Sequence, residues 1–216
     1  MIDPIHIDAI FFDMDGTLWD GVECYAQGFN DFFKTQNIDK RYTKHDLYAL
    51  MGMEEDKYLE FTLPEFTYYE RKSMYKKILE FQYENIKKNG GELYPNVADG
   101  LKKLSEKYKL FIVSNCAEFT IKYFMEWAGI GQYITDSMAH AVNFKPKNEN
   151  IKYLIDKYAL TNPVYVGDAK SDGIQAELAN IPFVFVTYGF GDTNKYDLKF
   201  DTFTELTAYF EKNTNH

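Results

Sequence analysis

The chain has 216 residues, 45% of them apolar and 26% charged, which are proportions of a soluble globular protein and exclude disorder, collagen and low complexity. At roughly 150 residues per domain, this is one large domain or one domain carrying an insert, long enough to bury about 70% of its unfolded surface. Thirty-three acids against 24 bases leave a net charge of −9, the opposite of a nucleic-acid footprint and a poor match for an anionic membrane surface.

Only two cysteines, Cys24 and Cys116, are present, far apart and in no C-x-x-C pair, so neither a disulfide framework nor a structural zinc is expected. The N-terminus carries Asp3 and Asp8 without a basic region, unlike a signal peptide. The longest uncharged apolar stretch, Ile181 to Gly191, is too short to span a bilayer. A cytoplasmic protein is expected. The 18 Phe and 18 Tyr recur largely at helical spacing and are read as core rings rather than a recognition surface.

Along the chain, residues 7–12 are β-prone and end at Asp13. Val22, Tyr25, Ala26, Phe29, Phe32 and Phe33 then form one helical stripe. Thr43-x-x-Asp46 resembles a helix-start box, and further helix is expected over 54–61 and 65–88. Asn89-Gly90-Gly91 stops the run. From Val97 helices and strands alternate: helix 96–107, strand 109–113, helix 118–128, an extended piece near 137–142, helix 147–158, strand 163–166, helix 172–180, strand 182–187 and helix 202–212. Such alternation predicts βαβ units and a parallel sheet. The carboxyl ends of parallel strands share one edge, so Asp13, Ser114 and Asp168, each at a strand end, should converge on one crevice.

Four short clusters carry the chemistry. Asp13-Met14-Asp15-Gly16-Thr17 places two carboxylates at a strand end beside a glycine that lets backbone approach a ligand. The alternative, a tight turn with solvated acids, is the weaker reading for a D-x-D-G-T run directly after an apolar strand. Ser114-Asn115 offers a hydroxyl for a phosphate oxygen, or simply a helix cap. Lys145-Pro146 lies in a loop, where a lone lysine is usually a solvated charge. Gly167-Asp168-Ala169-Lys170-Ser171-Asp172 supplies two more acids, which by themselves are explained as a helix-start device. Together the four gather Asp13, Asp15, Asp168 and Asp172. Two like charges 4 Å apart repel by roughly 4 kcal/mol at an effective dielectric of 20, so the set needs a cation. All-oxygen donors suit Mg²⁺. An imidazole-rich metal site is not available, since His6, His45, His140 and His216 are scattered.

These four clusters, in this order and at these strand ends, resemble the four motifs of the haloacid dehalogenase superfamily. The helical stretch after the first motif resembles the cap of its phosphoglycolate phosphatase-like and phosphoglucomutase-like branch. Glu92–Val97 resembles the return from cap to core, and Tyr188-Gly189-Phe190-Gly191 a loop common late in such chains. The resemblance implies an α/β fold: a Rossmann-like parallel sheet with helices on both faces (residues 1–19 and 90–216) and an inserted all-helical cap (20–89). It implies that Asp13 is the nucleophile and Asp15 the general acid and base. Asp13, Asp168 and the Asp15 carbonyl would hold Mg²⁺, and Asp172 would orient a water on the metal. Ser114 would bind phosphate with Asn115, Gly16 and Thr17 around it, and Lys145 would pair with nucleophile and phosphate. Asp15 argues against a true dehalogenase, where a general acid would be idle.

The sequence departs from that pattern at Lys147-Asn148, where relatives often have a second proline, and at Ala169, where many have a hydroxyl. Trp19-Asp20 marks the first hinge, with Trp19 expected to pack there. The expected activity is a Mg²⁺-dependent phosphatase acting on a small phosphate monoester through an aspartyl-phosphate. A β-phosphoglucomutase-like phosphomutase and a non-catalytic phosphate-binding regulatory module are the alternatives. The expected partner is a small phosphorylated metabolite, with no nucleic acid and no membrane, and the chain a monomer or weak homodimer.

Overall fold

Strand β1, Ala9–Phe12, is buried along its whole length, as expected of a central parallel strand covered on both faces. The computed structural model describes residues 6–212, so Asp3 and His216 lie outside it. On one side β1 pairs with β4 (Lys109–Ser114), and beyond it lies β5 (Asp136–Ala139). On the other side come β6 (Pro163–Gly167), β7 (Phe183–Val186) and β8 (Leu198–Phe200). All these pairings are parallel, in the order β5-β4-β1-β6-β7-β8. The chain moves from β1 to one flank and returns to the other, which makes the carboxyl end of β1 the crevice where such sheets bind ligands.

Alternation along each strand divides the core in two. Ile10 and Phe12 face α5 (Val97–Ser105), α6 (Thr120–Ala128) and α9 (Phe203–Lys212). Ala9 and Phe11 face α7 (Lys147–Tyr158) and α8 (Lys170–Ala179), where Phe11 stacks on Phe111 at 4.7 Å. The result is the α/β architecture expected, with helices on both faces.

Between β2 (Trp19–Asp20) and β3 (Glu92–Leu93) the chain is helical: α1 (Val22–Thr35), α2 (Lys44–Tyr48), α3 (Glu55–Thr62) and α4 (Tyr68–Asn89). The two short strands pair antiparallel, Trp19 opposite Leu93, so the outgoing and returning chains cross side by side. Trp19 is fully buried, its ring 4.7 Å from Phe124 and 5.8 Å from Trp127, in keeping with hinge packing. Phe29 gathers Phe33, Tyr42 and Tyr58 within the helical segment, so these rings are core as expected. No helix among the described residues is long and apolar enough to cross a membrane.

Three boundaries differ from the sequence reading. Helix α4 starts at Tyr68 because Thr67 and Glu70 cap it reciprocally; the Thr67 N–H donates to Glu70 Oε2 at 2.8 Å. Residues 140–142 form a 3-10 turn rather than extended chain. Strand β8 was not anticipated, because three residues carry too little alternation to be recognised.

Helices α1 and α4 pack tightly at Gly28, where an added Cβ would lie 2.3 Å from Gln82 Cγ and 2.9 Å from the Gln82 backbone. Gly28→Ala therefore sets a helix-propensity gain of about 0.5–1 kcal/mol against an overpacking cost of about 1–3 kcal/mol. The contact is with backbone, so the cost should win. Urea unfolding should show a lower midpoint; an unchanged or raised midpoint would mean that the two helices part freely.

Candidate active site

The parallel sheet places Asp13, Ser114 and Asp168 at adjacent strand ends. The Asp13 N–H donates to the Val166 carbonyl at 2.9 Å, extending the β1–β6 ladder by one residue. The chain then turns tightly: the Met14 carbonyl accepts from the N–H groups of Thr17, Leu18 and Trp19 at 2.9–3.3 Å. Gly16 sits at φ +83°, and a Cβ there would fall 2.3 Å from Asp168 Oδ2. Only glycine lets the turn close over that carboxylate. Asp168 Oδ1 accepts from the Thr17 hydroxyl at 3.2 Å, and Oδ2 from the N–H groups of Phe190 and Gly191 at 2.7 and 3.2 Å. Asp168 is thereby fixed from the first motif and from the 188–191 loop at once. Gly16 and Thr17, expected around the phosphate, hold Asp168 in place, and Thr17 is fully buried.

Carboxylate oxygens of Asp13, Asp168 and Asp172 lie within 4.8 Å of one another, and all three residues are buried. The cation among them is Lys147. Its ammonium donates to Asp172 Oδ1 at 2.7 Å and stands 3.1 Å from Asp13 Oδ1. Lys145, expected in that role, is exposed in the preceding loop. Its N–H donates to Asn143 Oδ1 at 3.0 Å, and its carbonyl accepts from His140 Nδ1 at 2.9 Å. The correction has a local cause. Helix α7 begins directly after Pro146, so its first residue, Lys147, projects into the interior while Lys145 remains in the loop.

Asp15 keeps its carboxylate apart from the three-acid group. Both its oxygens receive the Tyr25 hydroxyl, at 2.9 and 3.1 Å. Tyr25 comes from α1, where the stripe pattern marks it only as a core ring; nothing in the sequence distinguishes its hydroxyl. Ser114 and Asn115 line a cavity of about 60 Å³ together with Asp13 and Asp15. The helical segment closes its other side with Met51, Met53, Glu55, Tyr58, Tyr75 and Gln82. The Asn115 amide ties the two sides together by donating to the Gly52 carbonyl at 3.1 Å. Ala169, flagged as a departure, donates its N–H to Asp172 Oδ2 at 3.1 Å, so backbone supplies the contact there.

Electrostatics follow from this burial. Desolvation pushes Asp13 up to about 6, with Lys147 opposing the rise. Desolvation, then the Asp13 charge, push Asp15 up to about 8, while the Tyr25 hydrogen bond lowers it. Asp168 rises to about 7 through desolvation and the charges of Asp172 and Asp13. Burial alone would discharge Lys147, but Asp13 and Asp172 hold it well above its ordinary value. Asp13 Oδ1 is buried and has the Lys147 ion pair but no hydrogen bond among the described residues. A buried, oxygen-only donor set with an unfilled lone pair fits a hard divalent cation such as Mg²⁺.

Raised carboxyl values make stability fall as pH climbs from the unfolded value near 3.8 to the folded values of about 6–8. A bound divalent cation opposes that loss. Thermal melts should therefore show Mg²⁺ raising Tm more at pH 8 than at pH 5, with a smaller gain in Asp168→Asn. Equal gains at both pH values would argue that these carboxylates do not hold the ion.

Comparison with known proteins agrees with the geometry. The family model for haloacid dehalogenase-like hydrolases matches residues 10–186. A phosphoglycolate phosphatase of Haemophilus influenzae is 27% identical over 214 residues, covering 91% of this chain and 95% of its own. Pyrophosphatase PpaX of Oceanobacillus iheyensis is 25% identical over 200 residues, covering 88% of each. Among solved structures, a predicted phosphoglycolate phosphatase from Haemophilus somnus superposes with a TM-score of 0.83 at 23% identity, covering 94% of this chain and 98% of its own. A hydrolase of Streptococcus pneumoniae gives a TM-score of 0.80 at 22% identity, covering 95% and 99%. With a family model spanning both outer acid motifs and relatives aligned along nearly its whole length, the chain belongs to the haloacid dehalogenase-like hydrolases and is a phosphatase of the phosphoglycolate phosphatase-like kind.

Proposed function

We propose that this enzyme is a Mg²⁺-dependent phosphatase that cleaves a small phosphate monoester through an aspartyl-phosphate on Asp13. The observation that carries this reading is the Asp13 carboxylate held 3.1 Å from Lys147, inside a group of three buried acids and open to the cavity. An anionic nucleophile facing an anionic phosphate needs such compensation. Asp13, Asp168 and Asp172 would hold the ion. When bound, Mg²⁺ neutralises charge on the acids and polarises a phosphoryl oxygen.

The chain's own residues supply the remaining steps. Asp13 attacks phosphorus as the ester P–O bond breaks. Asp15, kept protonated near neutral pH by burial, gives its proton to the leaving alcohol oxygen, then takes one from the water that hydrolyses the aspartyl-phosphate. The Tyr25 hydroxyl orients Asp15 for both transfers. Ser114 donates to a phosphate oxygen, and Lys147 balances the charge of Asp13. Residues 20–89 act as a cap that swings on the β2–β3 pair and, when closed, leaves room only for a small leaving group and excludes water from the first step. The free thiols of Cys24 and Cys116 fit a cytoplasmic enzyme. No observation favours the phosphomutase or the non-catalytic module.

Two measurements test the reading. Asp13→Asn should lose phosphate release by at least about 10³-fold while still binding inorganic phosphate by calorimetry; full turnover in that variant would refute it. Lys147→Ala should cost about 10²–10³-fold in kcat, whereas Lys145→Ala, at an exposed loop position, should stay within about threefold. The reverse ranking would restore Lys145 to the site.

A further inference from the structure

We infer that the substrate's leaving group is an uncharged, hydroxyl-bearing alcohol, and that esters with a second negative charge, such as a carboxylate or another phosphate, are discriminated against. This rests on the phosphatase reading and names the substrate class for the same cavity.

The argument comes from what the cap presents opposite Asp13. No lysine or arginine lines the cavity among the described residues. The cap wall is Leu50, Met51, Met53, Tyr58 and Tyr75, with Glu55 and Gln82 as its polar members. Glu55 is paired with Lys72, but the same ammonium also serves Asp56 at 2.7 Å, so the trio keeps a net negative charge. Of the other cap cations near these residues in sequence, Arg71 is committed to the Leu63 carbonyl at 3.0 Å, and Lys57, Lys76 and Lys77 are exposed and do not line the cavity. On the core side His140 is the one basic lining group, and its Nδ1 is bound to the Lys145 carbonyl.

A carboxylate on the leaving group would therefore be desolvated against apolar and aromatic side chains, beside Glu55, with no cation to meet it. A hydroxylated carbon chain meets the opposite situation. The Tyr58 and Tyr75 hydroxyls donate to no other described residue. Gln82 spends its Nε2 on the Tyr25 carbonyl at 3.2 Å, and no described residue donates to its Oε1. Those groups can give to and accept from alcohol O–H groups, while the rings and methionines cover C–H surface. The names of two relatives point to phosphoglycolate and pyrophosphate, both anionic beyond the scissile phosphate, whereas the lining of this cavity offers no lysine or arginine to such a charge.

The test compares kcat/KM of the Mg²⁺-loaded enzyme for glycerol 3-phosphate, phosphoglycolate and pyrophosphate. Glycerol 3-phosphate should exceed each of the others by at least about tenfold, the discrimination that a buried unpaired charge commonly brings. Met51→Arg, at the partly exposed cavity rim, should raise the phosphoglycolate to glycerol 3-phosphate ratio by about tenfold, and Glu55→Gln should move it in the same direction. Preference for phosphoglycolate or pyrophosphate in the wild type would overturn the inference and leave the phosphatase reading standing. Were no ester hydrolysed, calorimetry on Asp13→Asn with the same three compounds still decides: tighter binding of glycerol 3-phosphate supports the inference, tighter binding of either other compound overturns it, and no binding of any overturns both readings.

Discussion

Charge compensation at the carboxyl edge of the sheet is the constraint on which the molecule depends. Three buried carboxylates share a space less than 5 Å across, and among the described residues a single buried ammonium, Lys147, offsets them. Everything around them serves to keep that cluster in place. Backbone N–H groups from the 188–191 loop, the Thr17 hydroxyl and the bare Cα of Gly16 fix Asp168. The first turn of α8 fixes Asp172 through the Ala169 N–H. The residual negative charge creates a demand for a divalent cation, and a phosphate monoester is a ligand such a charged edge can then accept.

The same arrangement links the helical segment to the acids. Tyr25 lies at the start of α1, a few residues past the crossing strands, yet its hydroxyl reaches both oxygens of Asp15. Any swing of α1 would withdraw that donor. The position of α1 and the orientation of Asp15 are therefore linked in this structure. Asn115 makes a second tie, to the Gly52 carbonyl. The wall that the helical segment presents to Asp13 carries aromatic and thioether groups and, among the described residues, no lysine or arginine.

Much of this was legible in the sequence because the governing signals are local. Asp13, Asp168 and Asp172 were recognisable since each ends, or soon follows, a run of apolar residues that can only be a buried strand. The helical stretch between Asp20 and Asn89 was readable from its 3.6-residue periodicity and its glycine stop. Lys145 was the error, and it is instructive. A lysine-proline pair looks like the conserved feature of a motif, but which lysine is buried depends on the residue at which α7 starts. That phase is set when α7 packs on the sheet, with Ile151 and Leu154 in the core.

What the sequence determined by itself was the order of strands and helices and the acids at the strand ends, because hydrophobic period and turn chemistry are properties of short segments. What only the tertiary structure decided was which side chains meet. Lys147 over Lys145, Tyr25 against Asp15, and the cation-free wall around Tyr58 and Tyr75 all depend on elements distant in the chain being brought within a few ångströms. No local pattern encodes such encounters, since they follow from how whole helices seat against the sheet.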